Sequence, residues 1–175
     1  MTEWTNDSVR ELERDSIRRF VQASAEHFTG RVLDLGCGKQ PYRDIIEDAG
    51  GAYVPYDRVR FAGNASGEDV GDELTEKDAG WFDTVLATQV IQYVDDPGRW
   101  LFRIALALKP GGTLVMSYPL CWDWVEPEDK WRFTPAGIAD LLGTAGFTVM
   151  HSEERAAIEL GGFRLPLGYG VIAHS

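Results

Sequence analysis

The stretch Arg31-Val32-Leu33-Asp34-Leu35-Gly36-Cys37-Gly38-Lys39-Gln40-Pro41-Tyr42 constrains this chain more than any other. Val32, Leu33 and Leu35 read as a short buried strand, and Gly36 and Gly38 follow at once. Neither glycine has a Cβ, so the backbone there can turn sharply and come close to a ligand. A strand that runs into a glycine turn ahead of a helix is the ligand-side crevice of an open α/β sheet. Strand and helix patterns alternate along the rest of the chain. They predict an α/β, doubly wound, mostly parallel sheet of about seven strands with helices on both faces.

The first helix is expected to open at Ser8-Val9-Arg10-Glu11, which has the form of a capping box, and to run to about Phe28 before Gly30. Val9, Leu12, Ile17, Phe20, Val21 and Ser24 give it a loosely apolar face. Beyond the glycine turn, Pro41 fits the first turn of a second helix carrying Tyr42, Ile45 and Ile46 up to Gly50-Gly51. Residues 52–56 read as a strand whose Pro55 hints at irregular pairing. Residues 61–77 read as loop, with a very short strand near Val70. Residues 82–88 are a strong strand, and Asp96-Pro97 then caps a helix that Lys109-Pro110-Gly111-Gly112 stops after Leu108. A strand over 113–118 comes next. Thr134-Pro135 caps a helix with Ile138, Leu141 and Leu142, closed by Gly146, and 147–150 and 169–173 read as the last two strands. Residues 1–175 are expected to form one domain, with 1–30 as an N-terminal helical segment.

Composition narrows the class of partner. Hydrophobic content of 44% and charged content of 26% suit a globular protein with a single sizeable core. The net charge of -11 argues against nucleic acid, whose phosphates are bound chiefly by Lys and Arg. No apolar run reaches the roughly 18 residues of a membrane span, and the acidic, polar start at Met1-Thr2-Glu3 is unlike a secretory leader. Cys37 and Cys121 are the only cysteines and are expected to be free thiols of a cytoplasmic protein, not a metal pair.

The glycine turn admits two occupants. A dinucleotide fingerprint needs a third glycine three residues after the second, and Pro41 stands there instead, against a nicotinamide-dependent oxidoreductase. Asp34 precedes the first glycine by two residues; its carboxylate would repel a pyrophosphate and suits a ligand with a positive ammonium group. Asp34-Leu35-Gly36-Cys37-Gly38 resembles motif I of the class I S-adenosylmethionine-dependent methyltransferases. That resemblance implies a Rossmann-like fold and S-adenosyl-L-methionine as cofactor, with Asp34, Gly36, Cys37 and Gly38 walling its methionine side. Asp57 follows Gly38 by 19 residues, about the spacing of an acid that accepts from ribose hydroxyls, though a solvated turn Asp fits the spacing equally. Arg58 is either a lid on the adenine face or a surface arginine.

The resemblance continues in order. Val70-Gly71-Asp72-Glu73-Leu74 is similar to the family's adenine-binding segment, implying that Asp72 accepts from the exocyclic amine while Glu73 and Leu74 line the ring edge; Glu68, Asp69 and Asp78 compete for the acid's place. Residues 82–94 resemble the family's fourth strand and the segment after it, which implies Thr88 and Gln89 at the methionine portion and sulfonium. Gln92-Tyr93 stands where many relatives carry Glu-His, so one acid/base pair is missing. Leu108-Lys109-Pro110-Gly111-Gly112 looks like the family's turn into the next strand. Trp131-Arg132-Phe133-Thr134-Pro135-Ala136-Gly137, with Ala145-Gly146-Phe147, resembles a signature of the type-11 branch.

The reaction implied is in-line transfer of a methyl group to an oxygen or nitrogen of a small-molecule acceptor, for which alignment and exclusion of water supply most of the rate. An alcohol acceptor also needs a base, and neither His27, His151 nor His174 has a position that argues for it. Residues 118–131 hold Trp122, Trp124 and Trp131 among acids, with Asp123 and Glu126 as candidate bases. These aromatics would form an acceptor pocket, cover the sheet end, or make a homodimer contact. The alternative function is a cofactor-binding subunit, or a non-catalytic relative, whose acceptor site a partner protein completes.

Overall fold

The computed structural model describes residues 5–57, 74, 76–122 and 129–175. They build a six-stranded sheet in the order β2-β1-β3-β4-β6-β5 with four α-helices. The strands are β1 (Arg31–Leu35), β2 (Ala52–Tyr56), β3 (Phe82–Thr88), β4 (Leu108–Pro119), β5 (Thr148–Leu160) and β6 (Phe163–His174). The helices are α1 (Asn6–Ala23), α2 (Arg43–Asp48), α3 (Pro97–Ala107) and α4 (Pro135–Thr144). β1 to β4 pair in parallel, and β6 joins them antiparallel with β5 as its outer neighbour. The mostly parallel α/β sheet is as expected. Its six strands compare with about seven predicted, and the short strand expected near Val70 falls outside the described residues.

Successive side chains of a strand point to opposite faces, and the sheet divides its apolar residues accordingly. Val32, Leu86, Val115 and Ile172 meet Ile17, Phe20 and Val21 of α1 and Ile45 and Ile46 of α2. Leu33, Val85, Leu114 and Met116 meet Leu101 and Ile104 of α3 and Ile138 and Leu142 of α4. Burying each such side chain contributes about 1.5–3 kcal/mol relative to leaving it in water. Both proline caps are present: Asp96 accepts from the Arg99 amide and Thr134 from the Gly137 amide.

Several boundaries differ from the sequence reading. The capping box at α1 is Thr5 with Ser8, not Ser8 with Glu11: the Thr5 hydroxyl accepts from the Ser8 amide at 3.2 Å and Ser8 Oγ accepts from the Thr5 amide at 3.0 Å. The helix also stops at Ala23 and does not reach Phe28, because Ser24 donates back to the Phe20 carbonyl (2.9 Å) and residues 25–27 tighten into a 3-10 turn. Pro41 lies outside α2, which starts at Arg43 after the N-cap Tyr42. Finally, the last two strands are far longer than 147–150 and 169–173. They form one hairpin turned at Gly161-Gly162, whose tip carries Leu160 and Phe163 in solvent and so lacks the buried alternation that marks a strand. No helix among the described residues is long and apolar enough to cross a membrane.

Candidate functional site

The chain runs from β1 to β2 on one side and crosses to β3 on the other, so the sheet changes direction between β1 and β3. Ligands of open α/β sheets bind outside the carboxyl ends of the strands at such a point. Asp34 and the glycine turn leave β1 there, Asp57 leaves β2, and Thr88 and Gln89 leave β3.

The turn is held by the end of β2. Gly36 and Cys37 both donate their amides to the Tyr56 carbonyl, at 2.8 and 2.9 Å. Gly36 has φ +81°, and a Cβ there would run into the Val90 side chain. Gly38 has φ +52° and open space where a Cβ would stand, which leaves room for a ligand against the backbone. Its amide donates to Asp57 Oδ2 at 2.9 Å, so the two residues spaced 19 apart meet at the rim of the crevice. The Cys37 side chain is buried, and Cys121 is exposed; the two remain separate thiols. Leu74 is buried in the same apolar cluster as Leu35 and Tyr56. Arg58, Asp72 and Glu73 lie outside the described residues.

Asp34 is fully buried on the α1/α2 face of β1. Tyr53 donates its hydroxyl to Oδ2 at 2.7 Å, while Oδ1 has no partner. Burial pushes the carboxyl up to about 7; the Tyr53 hydrogen bond opposes this and the charge of Asp57 adds to it. The Tyr42 phenol stands nearby and is raised chiefly by burial, with Thr88, Asp34, Arg155 and Glu13 all close enough to act on it.

Glu13 was not among the residues predicted from sequence. It projects from α1 and is buried, as is Ser16. Glu13 Oε1 accepts from Arg155 Nη2 of β5 at 2.8 Å and from Gln89 Nε2 at 3.3 Å. Gln89 itself sits in the left-handed region, φ +57°, and the Gln92 side chain donates to its carbonyl at 2.9 Å. A non-glycine residue held there stores strain of about 1–3 kcal/mol, a pattern concentrated at functional sites. The signal for Glu13 was present in the sequence: positions 13, 16, 17, 20, 21 and 24 form one helical stripe, and a carboxylate opens it.

The match to known proteins decides the family. Residues 8–152 match the methyltransferase domain family. The chain belongs to that family. Its doubly wound α/β fold is the one shared by solved neighbours described as S-adenosylmethionine-dependent methyltransferases. An S-adenosylmethionine-dependent methyltransferase of Mesorhizobium loti superposes with a TM-score of 0.70 at 19% identity, over 94% of this chain and 100% of that one. The 1,6-didemethyltoxoflavin-N1-methyltransferase of Burkholderia thailandensis, solved with 1,6-didemethyltoxoflavin and S-adenosylhomocysteine, gives 0.68 at 18% identity over 100% of this chain and 92% of that one. In sequence, the ubiquinone biosynthesis O-methyltransferase of Caulobacter vibrioides is 32% identical over 122 residues, 61% of this chain and 48% of the relative. The chain spans about half the length of the curated relatives it matches.

The segment after β4 returns to the carboxyl end of β3. The Lys130 and Trp131 amides both donate to the Gln92 carbonyl, at 2.8 and 3.2 Å. Trp131 is half exposed, stacks on Phe133 with ring centroids 6.1 Å apart, and donates its indole N–H to the Val94 carbonyl at 2.8 Å. Asp129 is buried beneath Arg132, which donates to Oδ2 at 2.7 Å. Trp122 is half-buried, while Asp123, Trp124 and Glu126 lie outside the described residues. Among the described residues, no group of His, Cys, Asp and Glu is placed to hold a metal ion.

Proposed function

We propose that this chain transfers a methyl group from S-adenosylmethionine to an oxygen or nitrogen of a small-molecule acceptor. The observation that carries the reading is a buried carboxylate, Asp34, with one oxygen unpartnered beneath an open glycine turn. A cation is the natural complement of that oxygen, and the cofactor brings an ammonium and a sulfonium together. Gly38 leaves room for the methionyl chain against the backbone. Asp57, fixed by the Gly38 amide, accepts from the ribose hydroxyls. Thr88 and Gln89 line the methionine end, and Cys37 contributes through its backbone. Leu74 lines the adenine side; the family resemblance carries Asp72 and Glu73, and Arg58 if it is not a surface arginine, to the same role. When bound, the cofactor supplies a methyl group already activated by its sulfonium, so the chain has chiefly to align the acceptor and exclude water.

The acceptor side is the aromatic segment around Trp122 and Trp131, with Asp123 and Glu126 as candidate bases. A small molecule agrees with the names of two relatives, an O-methyltransferase of ubiquinone biosynthesis and an N1-methyltransferase. The acidic net charge of -11 agrees with an acceptor other than nucleic acid. A cytoplasmic setting is supported by the two separate thiols. The test is a labelled-methyl screen against small molecules bearing phenolic, alcoholic or ring N–H groups, with S-adenosylhomocysteine binding followed by calorimetry. Turnover with the chain alone supports the reading. Turnover only after adding a partner protein would turn it into a subunit, and absence of cofactor binding by folded protein would sink it.

A further inference from the structure

Glu13 is gripped by one oxygen. Arg155 is buried completely, and all three of its nitrogens are engaged: Nε with the Tyr169 carbonyl at 3.1 Å, Nη1 with Ser16 Oγ at 2.9 Å, and Nη2 with Glu13 Oε1 at 2.8 Å. Gln89 Nε2 donates to the same Oε1. The second oxygen, Oε2, is buried and has no partner. A simple strut between α1 and β5 would be satisfied by a bidentate arrangement, which arginine and carboxylate readily adopt. Here the carboxylate is turned so that half of it is left over. An ionised oxygen without a donor is heavily penalised in a buried site.

Its position says what would satisfy it. Glu13 reaches from α1 to Gln89 at the end of β3, and the Tyr42 phenol, hydrogen-bonded to Thr88, feels the charges of both Glu13 and Asp34. α1 is also tied to the segment after the glycine turn, since Arg18 donates to the Pro41 carbonyl at 2.7 Å and pairs with Asp44 at 2.5 Å. The helix is therefore tied both to the segment after the glycine turn and to the end of β3, and it brings a buried carboxylate between them. The geometry assigns to Glu13 Oε2 the recognition of the cofactor's α-ammonium group from the α1 side, opposite Asp34. Arg155 is a positioning residue that balances the charge of Glu13 and fixes its rotamer. This assignment rests on the S-adenosylmethionine reading above.

Two probes separate the methionine end from the rest of the ligand: S-adenosylhomocysteine, which keeps the ammonium, and 5′-methylthioadenosine, which lacks the whole amino-acid portion. Calorimetry on the full chain gives the ratio of the two affinities within one preparation, and that ratio cancels any loss of folded protein. Glu13→Gln should weaken S-adenosylhomocysteine about tenfold to a hundredfold, the loss of one charge-assisted hydrogen bond. It should leave 5′-methylthioadenosine within about twofold. Ser16→Ala, which loosens Arg155 without touching Oε2, should leave the ratio unchanged. Should Glu13→Gln alone not fold because Arg155 is left unpaired, the double variant Glu13→Gln/Arg155→Met removes both charges together and should show the same collapse of the ratio. Equal weakening of both ligands, or an unchanged ratio, would make Glu13 a strut of the fold and overturn the assignment. Failure of the wild-type chain to bind either probe would instead overturn the cofactor reading, and the assignment with it.

Discussion

The two faces of the sheet are built on different principles. Under α3 and α4 the buried strand residues are apolar, apart from the Tyr118 hydroxyl. Under α1 and α2 the same strands bury Asp34, Thr84 and Ser117, and the helix above contributes Glu13 and Ser16. Most of these polar groups are satisfied within the fold: Thr84 donates to the His27 carbonyl, and Ser16 to the Glu13 carbonyl. The exceptions on this face, Asp34 Oδ1 and Glu13 Oε2, both lie at the carboxyl end of the strands, beside the crevice. One face holds the sheet together through area removed from water. The other leaves two buried carboxylate oxygens unpartnered, which the proposed cofactor would complete.

The sharpest way to break this contrast is at Arg155. Arg155→Met leaves the Glu13 carboxylate buried without its cation, and should cost about 3–5 kcal/mol of stability. Urea unfolding would measure it, and adding Glu13→Leu should recover much of the loss. A loss within the range of a surface change would mean that the pair is solvated and that the polar face is not a buried one.

Next in size is the apolar face. Leu101→Ala, at a fully buried site on α3, should cost about 2–5 kcal/mol through the cavity it leaves. The affinities of the remaining folded protein for S-adenosylhomocysteine and 5′-methylthioadenosine should not move. A changed affinity would show that the two faces are not independent.

Asp57→Ala tests the rim. It should weaken S-adenosylhomocysteine by about 1.5–3 kcal/mol, the worth of hydrogen bonds to a charged group. Because the ribose is common to both probes, 5′-methylthioadenosine should weaken with it, unlike the pattern expected at Glu13. Calorimetry of the pair distinguishes the two acids.

The smallest expected effect is on pH. Burial raises the Asp34 carboxyl from its ordinary 3.8 to about 7, so the ligand-free fold favours the neutral form. Its contribution to stability is complete below pH 3.8 and is lost as pH rises through about 7. A cationic ligand needs the ionised form, so S-adenosylhomocysteine binding should tighten, by up to about tenfold, between about pH 6 and 8, with a proton released. The groups acting on this carboxyl are Tyr53 of β2 and Asp57 just after it; Tyr42, before α2, feels its charge together with those of Arg155 and Glu13. The Tyr phenols are raised by burial and stay neutral throughout this range. Asp34→Asn should remove the dependence, and 5′-methylthioadenosine should not show it.

Much of the crevice was legible because its signals are local. Gly36 and Gly38 mark a turn by their backbone freedom, Asp96-Pro97 and Thr134-Pro135 mark helix starts by hydrogen bonds within one turn, and residues 82–88 declare themselves by burial. The start of α1 was misread by one turn because Thr5 and Ser8 offer the same hydroxyl chemistry, and Ser8-x-x-Glu11 fits the pattern better than the pair that forms. The hairpin of β5 and β6 was read only at the end nearest the chain's last residues, since further along it alternation gives way to half-exposed residues, to charged ones such as Arg155, and to an exposed tip.

By itself the chain determined its class, its glycine turn and the acids that flank it, because each depends on neighbours within a few residues or on a spacing along one strand-turn-strand unit. Only the tertiary structure decided that Glu13 and Arg155, 142 residues apart, share a hydrogen bond. It also decided that Asp34 and Glu13 each keep one oxygen unpartnered while both carboxyls act on the same Tyr42 phenol. A charge in an apolar stripe reads as an imperfection until the fold supplies its partner, because the cost of burying it is set by which long-range groups arrive to meet it.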